Sequence, residues 1–261
     1  MSDLLEGVAL VSGAGSGIGR ATSLAFVRHG IKQLALLDID TAGMAATRKL
    51  ILELNNKVEV LELQADLSNE KAIVDAVQKV TETFGQINIA VNNVGIGGPI
   101  CATSEMSVED YRKVVDLDLI GLWIAQREEI RQMLRQEPRG QSPETRSRGV
   151  IVNLSSTYGH VAPSGTTPAP PYIACKHGVL GMTKMDANSY AKDGIRVNAI
   201  CPGFVNTPAL KAAVQQGVMQ DELKKIPMGR FAEPSEIAEA ISFLVSPMSS
   251  YISGASLVVD G

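Results

Sequence analysis

The sequence predicts a doubly wound α/β fold with a seven-stranded parallel sheet and helices on both faces. Three observations carry this: seven short aliphatic runs recur between segments of helical length, their apolar residues are nearly continuous, and the first run leads straight into a glycine-rich loop. Strands buried on both faces read as continuous apolar runs, whereas half-buried antiparallel strands alternate apolar with polar residues. The runs lie at residues 8–11, 34–37, 58–61, 89–91, 150–154, 196–200 and 256–259. A helix follows the first run through about Arg28. Long helices are predicted over 107–136 and over 172–192, the latter entered through Pro170 and Pro171, which suit a first helical turn because its N–H groups need no partner within the helix. Pro234 opens the last helix. No internal repeat or compositional break divides the chain, so residues 1–261 are read as one domain.

Composition narrows the function. With 261 residues, 45% of them hydrophobic and 20% charged, the chain can bury a large core, which excludes a disordered or disulfide-dependent miniprotein. A formal net charge of -4 and an isoelectric point near 5.5 argue against a nucleic-acid or anionic-membrane surface and favour a small-molecule partner. No apolar stretch approaches the roughly 18 residues of a membrane span. The three cysteines, Cys101, Cys175 and Cys201, form no C-x-x-C pair, and His29, His160 and His177 lack the i, i+4 spacing of a helical metal site. No metal is expected, and a reducing, cytoplasmic setting fits. Asn153 opens a glycosylation sequon, but it lies in a strand run, where it reads as core. Residues 137–149 contain no apolar side chain and read as a solvated loop at the N-terminal edge of the sheet, opposite the ligand edge.

Two motifs carry chemistry. After the first run come Ser12, Gly13, Ala14, Gly15, Ser16, Gly17, Ile18 and Gly19, and then a helix. Glycines let backbone approach a pyrophosphate, and the free N–H groups and dipole of the helix N-terminus bind the anion. Asp38 closes the second run about twenty residues on, where a carboxylate accepts hydrogen bonds from both ribose hydroxyls and repels a 2'-phosphate. Asp40 adds negative field and residues 34–44 hold no Arg or Lys, so NAD is the preferred cofactor; a helix cap before Thr41 is the alternative reading of Asp38. Further along, Tyr172 and Lys176 stand four residues apart, on one face of a helix. An ammonium that close favours phenolate, which suits the phenol for proton transfer. Ser155 and Ser156 end the fifth run, bringing hydroxyls to the C-terminal edge of the sheet.

Together these features resemble the short-chain dehydrogenase/reductase family, and the likeness runs from Val8 to Gly261. Asp66 and Leu67 stand where that family contacts adenine. Asn92, Asn93, Val94 and Gly95 resemble its N-N-A-G motif, and Asn198 with Pro202, Gly203, Val205 and Thr207 resembles its N-x-x-x-P-G-x-x-x-T. The resemblance implies a Rossmann fold with Gly13, Ser16, Gly17, Ile18, Gly19, Asp38, Asp66, Leu67, Asn93, Gly95, Pro202, Gly203, Val205 and Thr207 at the cofactor. It implies Tyr172 as catalytic acid/base, Ser156 on the substrate oxygen, and Lys176 on the nicotinamide ribose and beside the phenol. Ser156, rather than Ser155, is the serine that aligns.

Three departures from the family pattern stand out. Val94 replaces the usual alanine. The interval from Ser156 to Tyr172 is longer than usual and rich in proline, which suggests a reshaped substrate rim. Asp118 stands where the family commonly has an asparagine completing its proton relay, so it is counted with the catalytic set.

Substrate contacts are expected from residues 95–107, 156–171 and 202–220, which carry Ile96, Ile100, Met106, Tyr158, Val161, Phe204, Leu210 and Met219 with few charges. An apolar secondary alcohol or ketone suits them better than a phosphorylated or carboxylated metabolite. The chain further resembles fungal secondary-metabolism members of that family, the polar segment 137–149 being part of the likeness. An NADPH-dependent ketoreductase and a nonredox or binding-only relative remain as alternatives. By the resemblance, relatives associate through the helices corresponding to 107–136 and 172–192 and through the last helix and strand, 234–259, so a homotetramer is expected.

Overall fold

The computed structural model describes residues 4–140, 146–163, 168–208, 210–211 and 219–261. Along the chain run β1 (Val8–Ser12), α1 (Gly17–Arg28), β2 (Gln33–Asp38), α2 (Thr41–Leu54), β3 (Glu59–Gln64), α3 (Glu70–Phe84) and β4 (Ile89–Asn92). Then come α4 (Val108–Val115), α5 (Leu122–Arg135), β5 (Gly149–Leu154), α6 (Pro170–Tyr190), β6 (Ile195–Pro202), α7 (Gln220–Leu223), α8 (Pro234–Val245) and β7 (Ser256–Val259). The sheet has the order β3-β2-β1-β4-β5-β6-β7, and every pairing is parallel. Strand order therefore reverses between β1 and β4, and the crevice beyond their C-terminal ends is where open α/β sheets bind ligands.

The continuous apolar runs are explained by two buried faces. Ala9 and Val11 of β1 pack with Phe26, Leu34, Leu36, Ile237 and Ile241 on the α1/α8 side. Val8 and Leu10 pack with Ala35, Leu37, Ile73, Val77 and Ile124 on the α3/α5 side. Successive residues thus alternate between two cores rather than between core and water. β3 differs from the expectation. It starts at Glu59 and runs to Gln64, and Glu59, Glu62 and Gln64 are exposed. It is an edge strand, where charge blunts pairing with other chains, so its apolar residues are interrupted.

The long helix expected over 107–136 is also modified. Ser107 caps α4 by accepting the Asp110 N–H at 3.0 Å, but a π-helical segment, Asp116–Gly121, separates α4 from α5. Gly121 is needed there, because a Cβ would stand 1.9 Å from the Leu67 carbonyl oxygen.

Segment 137–149 lies at the N-terminal edge, yet its stem is not solvated coil. Arg139 and Ser147 exchange backbone hydrogen bonds at 2.8 and 2.7 Å, and Arg139 Nη1 donates to Asn88 Oδ1 at 3.1 Å. Arg148 Nη1 donates to the Gln136 carbonyl at 2.5 Å. Paired guanidinium groups therefore pin both ends of the segment; residues 141–145 lie outside the described chain. Asn153 is buried and donates to Thr183 Oγ1 at 2.9 Å, as a core residue does. At the other end, Asn198 accepts the Ala255 N–H and donates to the Ile252 carbonyl, while Arg196 donates to the carbonyls of Leu244, Ile252 and Ser246. Burial holds Arg196 down to about 10. These contacts lock the approach to β7.

Candidate active site

The glycine-rich turn leaves β1 with Gly13 at φ +65° and Gly17 at φ +51°, both in the left-handed region that favours glycine. A Cβ on Gly13 would meet Asn93 Nδ2 at 2.6 Å, and one on Gly17 would press Thr207 Cγ2 at 3.2 Å. On Gly19 it would stand 2.1 Å from the Gly13 carbonyl oxygen. The turn is therefore packed between the segment after β4 and the segment after β6. Ser16 precedes α1 without a side-chain capping bond, so α1 begins with N–H groups that no side chain of that residue occupies. Ile18 packs against the α1/α8 core.

Asn93 supports this turn from behind: its amide donates to the carbonyls of Ser12 and Gly13 at 3.3 and 3.4 Å, and its own N–H donates to Ser12 Oγ at 3.0 Å. Asp38 Oδ2 accepts the Gly15 N–H at 2.8 Å, and its Oδ1 accepts the Asp40 N–H at 2.9 Å. Asp40, not Asp38, caps α2, accepting from Gly43 at 3.0 Å. Arg20 is a nearby cation that sequence reasoning passed over. It donates to the Gly15 carbonyl, to Gly43 O at 3.4 Å and to Thr47 Oγ1 at 3.0 Å, so its guanidinium serves the turn itself. Asp66, after β3, accepts from Ser68 N at 2.9 Å and Ser68 Oγ at 2.7 Å, which hold its carboxyl below the usual range, and Leu67 is buried beside it.

The candidate catalytic groups gather at the C-terminal edge. Tyr172 and Lys176 lie in the first turns of α6, and Lys176 Nζ stands 5.3 Å from the centroid of the Tyr172 ring. Lys176 is buried and donates to the Leu154 carbonyl at 3.2 Å. The two serines after β5 separate by role: Ser155 Oγ donates to the Lys176 carbonyl at 2.9 Å, fastening α6 to the sheet, whereas Ser156 Oγ accepts the Tyr158 N–H at 3.1 Å. Their alternation along the strand end could not have shown this. Asp118 comes from the π segment with Oδ2 3.6 Å from Lys176 Nζ, and its Oδ1 accepts the Ile96 N–H at 2.7 Å. Gly95 is the close neighbour here, since a Cβ on it would meet Asp118 Oδ2 at 2.9 Å.

Beyond β6, Gly203 N–H donates to the Val259 carbonyl at 3.0 Å, Val205 bridges to Ala232, and the Thr207 N–H donates to the Val205 carbonyl at 2.7 Å. Pro202 ends β6. Among the apolar residues assigned to the substrate loops, Ile96, Ile100 and Val161 are exposed and Tyr158 packs edge-on against Phe204, with ring centroids 6.4 Å apart. Met219 instead is buried. Much of the predicted third loop and part of the second, residues 164–167, 209 and 212–218, lie outside the described chain.

A buried polar network escaped the sequence reading. Asn92 donates to Glu129 Oε2 at 3.0 Å and to Asn153 Oδ1 at 3.1 Å; Asn153 donates to Gln126, and Gln126 donates to Asp186. Burial pushes the Glu129 carboxyl up to about 7. Glu129 follows the charged residues Arg127 and Glu128, yet helical spacing from Leu122 through Gln126 to Met133 marks its face as inward.

A glycine turn on a parallel sheet's reversal point, with serine, tyrosine and lysine beside it, defines a nucleotide-dependent oxidoreductase class, and the comparisons agree. The family model described as enoyl-(acyl carrier protein) reductase matches residues 13–261. The chain belongs to the short-chain dehydrogenase/reductase family. It is 38% identical to the short-chain dehydrogenase fogB of Aspergillus ruber, across 98% of this chain and 96% of that one. It is 34% identical to cyclohexanol dehydrogenase of an Acinetobacter species, across 97% and 93%. A solved structure described as a candidate 2-deoxy-D-gluconate 3-dehydrogenase from Agrobacterium tumefaciens, with bound NADP, superposes with a TM-score of 0.85 at 31% identity, covering 100% of this chain and 98% of that chain. The protein is thus a short-chain oxidoreductase that uses a nicotinamide cofactor on alcohols or ketones.

Proposed function

We propose that the protein interconverts a secondary alcohol and a ketone of a largely apolar, alicyclic small molecule with NAD(H). One observation carries the reading: Lys176 is buried, with its Nζ 5.3 Å from the centroid of the Tyr172 ring and bonded to the Leu154 carbonyl, two residues before Ser156 on the C-terminal edge of the sheet. The described residues fit a dinucleotide, because Gly13, Gly17 and Gly19 let the turn close tightly against Asn93, Thr207 and its own backbone, and α1 begins without a side-chain cap. When bound, the nicotinamide supplies the hydride acceptor or donor.

In this reading the residues divide the work as follows. Ser16, Gly17 and Ile18 offer N–H groups to the pyrophosphate. Asp38 accepts from the ribose hydroxyls, and Asp66 and Leu67 border the adenine. Pro202, Gly203, Val205 and Thr207 hold the carboxamide side, with Gly95 opposite and Asn93 bracing the turn. Ser156 Oγ donates to the substrate oxygen, Tyr172 takes the alcohol proton during oxidation and returns it during reduction, and Lys176 holds the ribose near them.

Asp38, and the engagement of Arg20 Nε and Nη2 with Thr47 and the backbone of the turn, support NAD(H). The NADP-bound neighbour supports an NADPH-dependent ketoreductase as the second reading. Exposed Ile96, Ile100 and Val161 support an apolar substrate, and the cyclohexanol dehydrogenase relative points to an alicyclic one. The identity to a fungal short-chain dehydrogenase supports the likeness to fungal members, with a secondary-metabolite intermediate as the proposed substrate, and three free thiols suit a cytoplasmic setting. A screen of cyclic secondary alcohols and ketones with both cofactors tests the proposal. Turnover only with NADP(H) selects the second reading, and no turnover of any alcohol or ketone rejects both.

A further inference from the structure

Lys176 and Asp118 form an ion pair that solvent does not reach: their side chains are 2% and 0% exposed. The two carboxylate oxygens are unequal. Oδ1 accepts the Ile96 N–H, while Oδ2 faces the ammonium and has no hydrogen-bond partner. The ammonium in turn donates to Leu154 and stands over the Tyr172 ring. One cation is therefore shared between a carboxylate closed to solvent and the ring of a half-buried phenol, and the field between Asp118 and Lys176 is little screened by water or salt.

The neighbours of Asp118 leave Lys176 as the group through which it acts. From α6 it meets Lys176 and Cys175, whose thiol is pushed up to about 11, by burial first and then by Asp118. From the segment after β4 come the Ile96 N–H and Gly95. On its own segment Asp116 is exposed. Burial raises the Asp118 carboxyl, and Lys176 and the Ile96 N–H pull it back.

We propose that Asp118 is an electrostatic positioning residue, whose carboxylate offsets the Lys176 field at the Tyr172 hydroxyl and thereby sets the active pH range for alcohol oxidation on the alkaline side. This rests on the reading of Tyr172 as the proton-transfer group. An asparagine at 118 keeps the shape and can still accept from Ile96, but it exposes the phenol to the uncompensated ammonium.

The test has two readouts. The first is the pH–rate profile of oxidation for the parent and Asp118→Asn, with cyclohexanol or the best alcohol from the screen. The second is the ultraviolet phenolate titration of each, taken as a difference against its Tyr172→Phe counterpart. The rising limb of the profile, which tracks phenolate, and the phenolate midpoint should both move acidward by about one pH unit, with turnover at pH 7 up about fivefold. Coincident phenolate midpoints overturn the proposal. That titration needs no substrate, so a parent that oxidises no alcohol rejects the functional reading and still leaves the electrostatic one decided. If Asp118→Asn does not fold, infrared spectra of Glu129→Gln, which removes the other fully buried carboxyl among the described residues, decide: a buried carboxyl ionised across the active pH range supports the proposal, and one protonated throughout overturns it.

Discussion

The Gly15 N–H donates to Asp38 Oδ2 at 2.8 Å, so the residue proposed to read the ribose also fixes the shape of the phosphate turn. Changing it touches two things at once. Asp38→Ala with Ile39→Arg should weaken NAD(H) binding at least about tenfold and reverse the preference toward NADP(H), because Ile39 is exposed and an arginine there can reach a 2'-phosphate. Calorimetric titration of both proteins with both cofactors measures this; unchanged NAD(H) affinity would remove Asp38 from the ribose site.

Tyr172→Phe should lower turnover by a factor on the order of 10² or more and leave cofactor affinity nearly intact, since it deletes only the hydroxyl. Lys176→Ala should weaken both, because that residue stands beside the ring and is proposed to hold the cofactor's ribose. A Tyr172→Phe protein that turns over normally would overthrow the assignment.

The serine pair predicts a division of effects. Ser155→Ala removes the bond to the Lys176 carbonyl and should cost about 1 kcal/mol in stability with a small loss of turnover. Ser156→Ala should do the reverse, losing kcat/KM by about a hundredfold with little change in Tm. Denaturation and kinetics on the two variants check it; interchangeable phenotypes would contradict it.

Glu129 predicts a pH-dependent stability. Its carboxyl holds its proton to about 7 in the folded protein, against an ordinary value of 4.5. The native state therefore binds the proton more tightly, and this contribution is full below about 4.5, declines between there and about 7, and is gone above. Glu129→Gln keeps an acceptor for Asn92 and cannot ionise. Its stability relative to the parent should rise by about 3 kcal/mol between pH 4 and pH 8, read from urea denaturation. Parallel curves for the two proteins would show that Glu129 does not titrate in the core.

Trp123, Met185 and Tyr251 expose apolar surface on α5, on α6 and just before β7. A homotetramer would cover them. Light scattering at micromolar concentration should return four times the chain mass, and a monomer mass would refute the association.

What could be read in the sequence follows from how local each signal is. β1, the glycine turn and the Tyr172–Lys176 pair are contiguous in sequence, so spacing alone places them. β3 was shifted because edge position, a property of the whole sheet, decides where its polar residues are tolerated. The partners of Ser155 and Asp118 lie 21 residues or more away, at Lys176 O and Ile96 N, and no local pattern encodes them. Glu129 was hidden by its charged neighbours, although its helical phase was there to be read.

The π segment Asp116–Gly121 has a consequence for how this site could be lost or gained. A wider turn holds one more residue than regular α geometry accommodates, and each residue of an α-helix turns the chain by about 100°. Deleting a single residue there would restore regular winding yet swing α4 and everything before it out of phase with α5. Asp118 could then no longer face Lys176 while Gly121 stayed against the Leu67 carbonyl. The surplus residue is a phase adjuster that reconciles two contacts on opposite ends of one turn, so this stretch should resist length changes far more than it resists substitution.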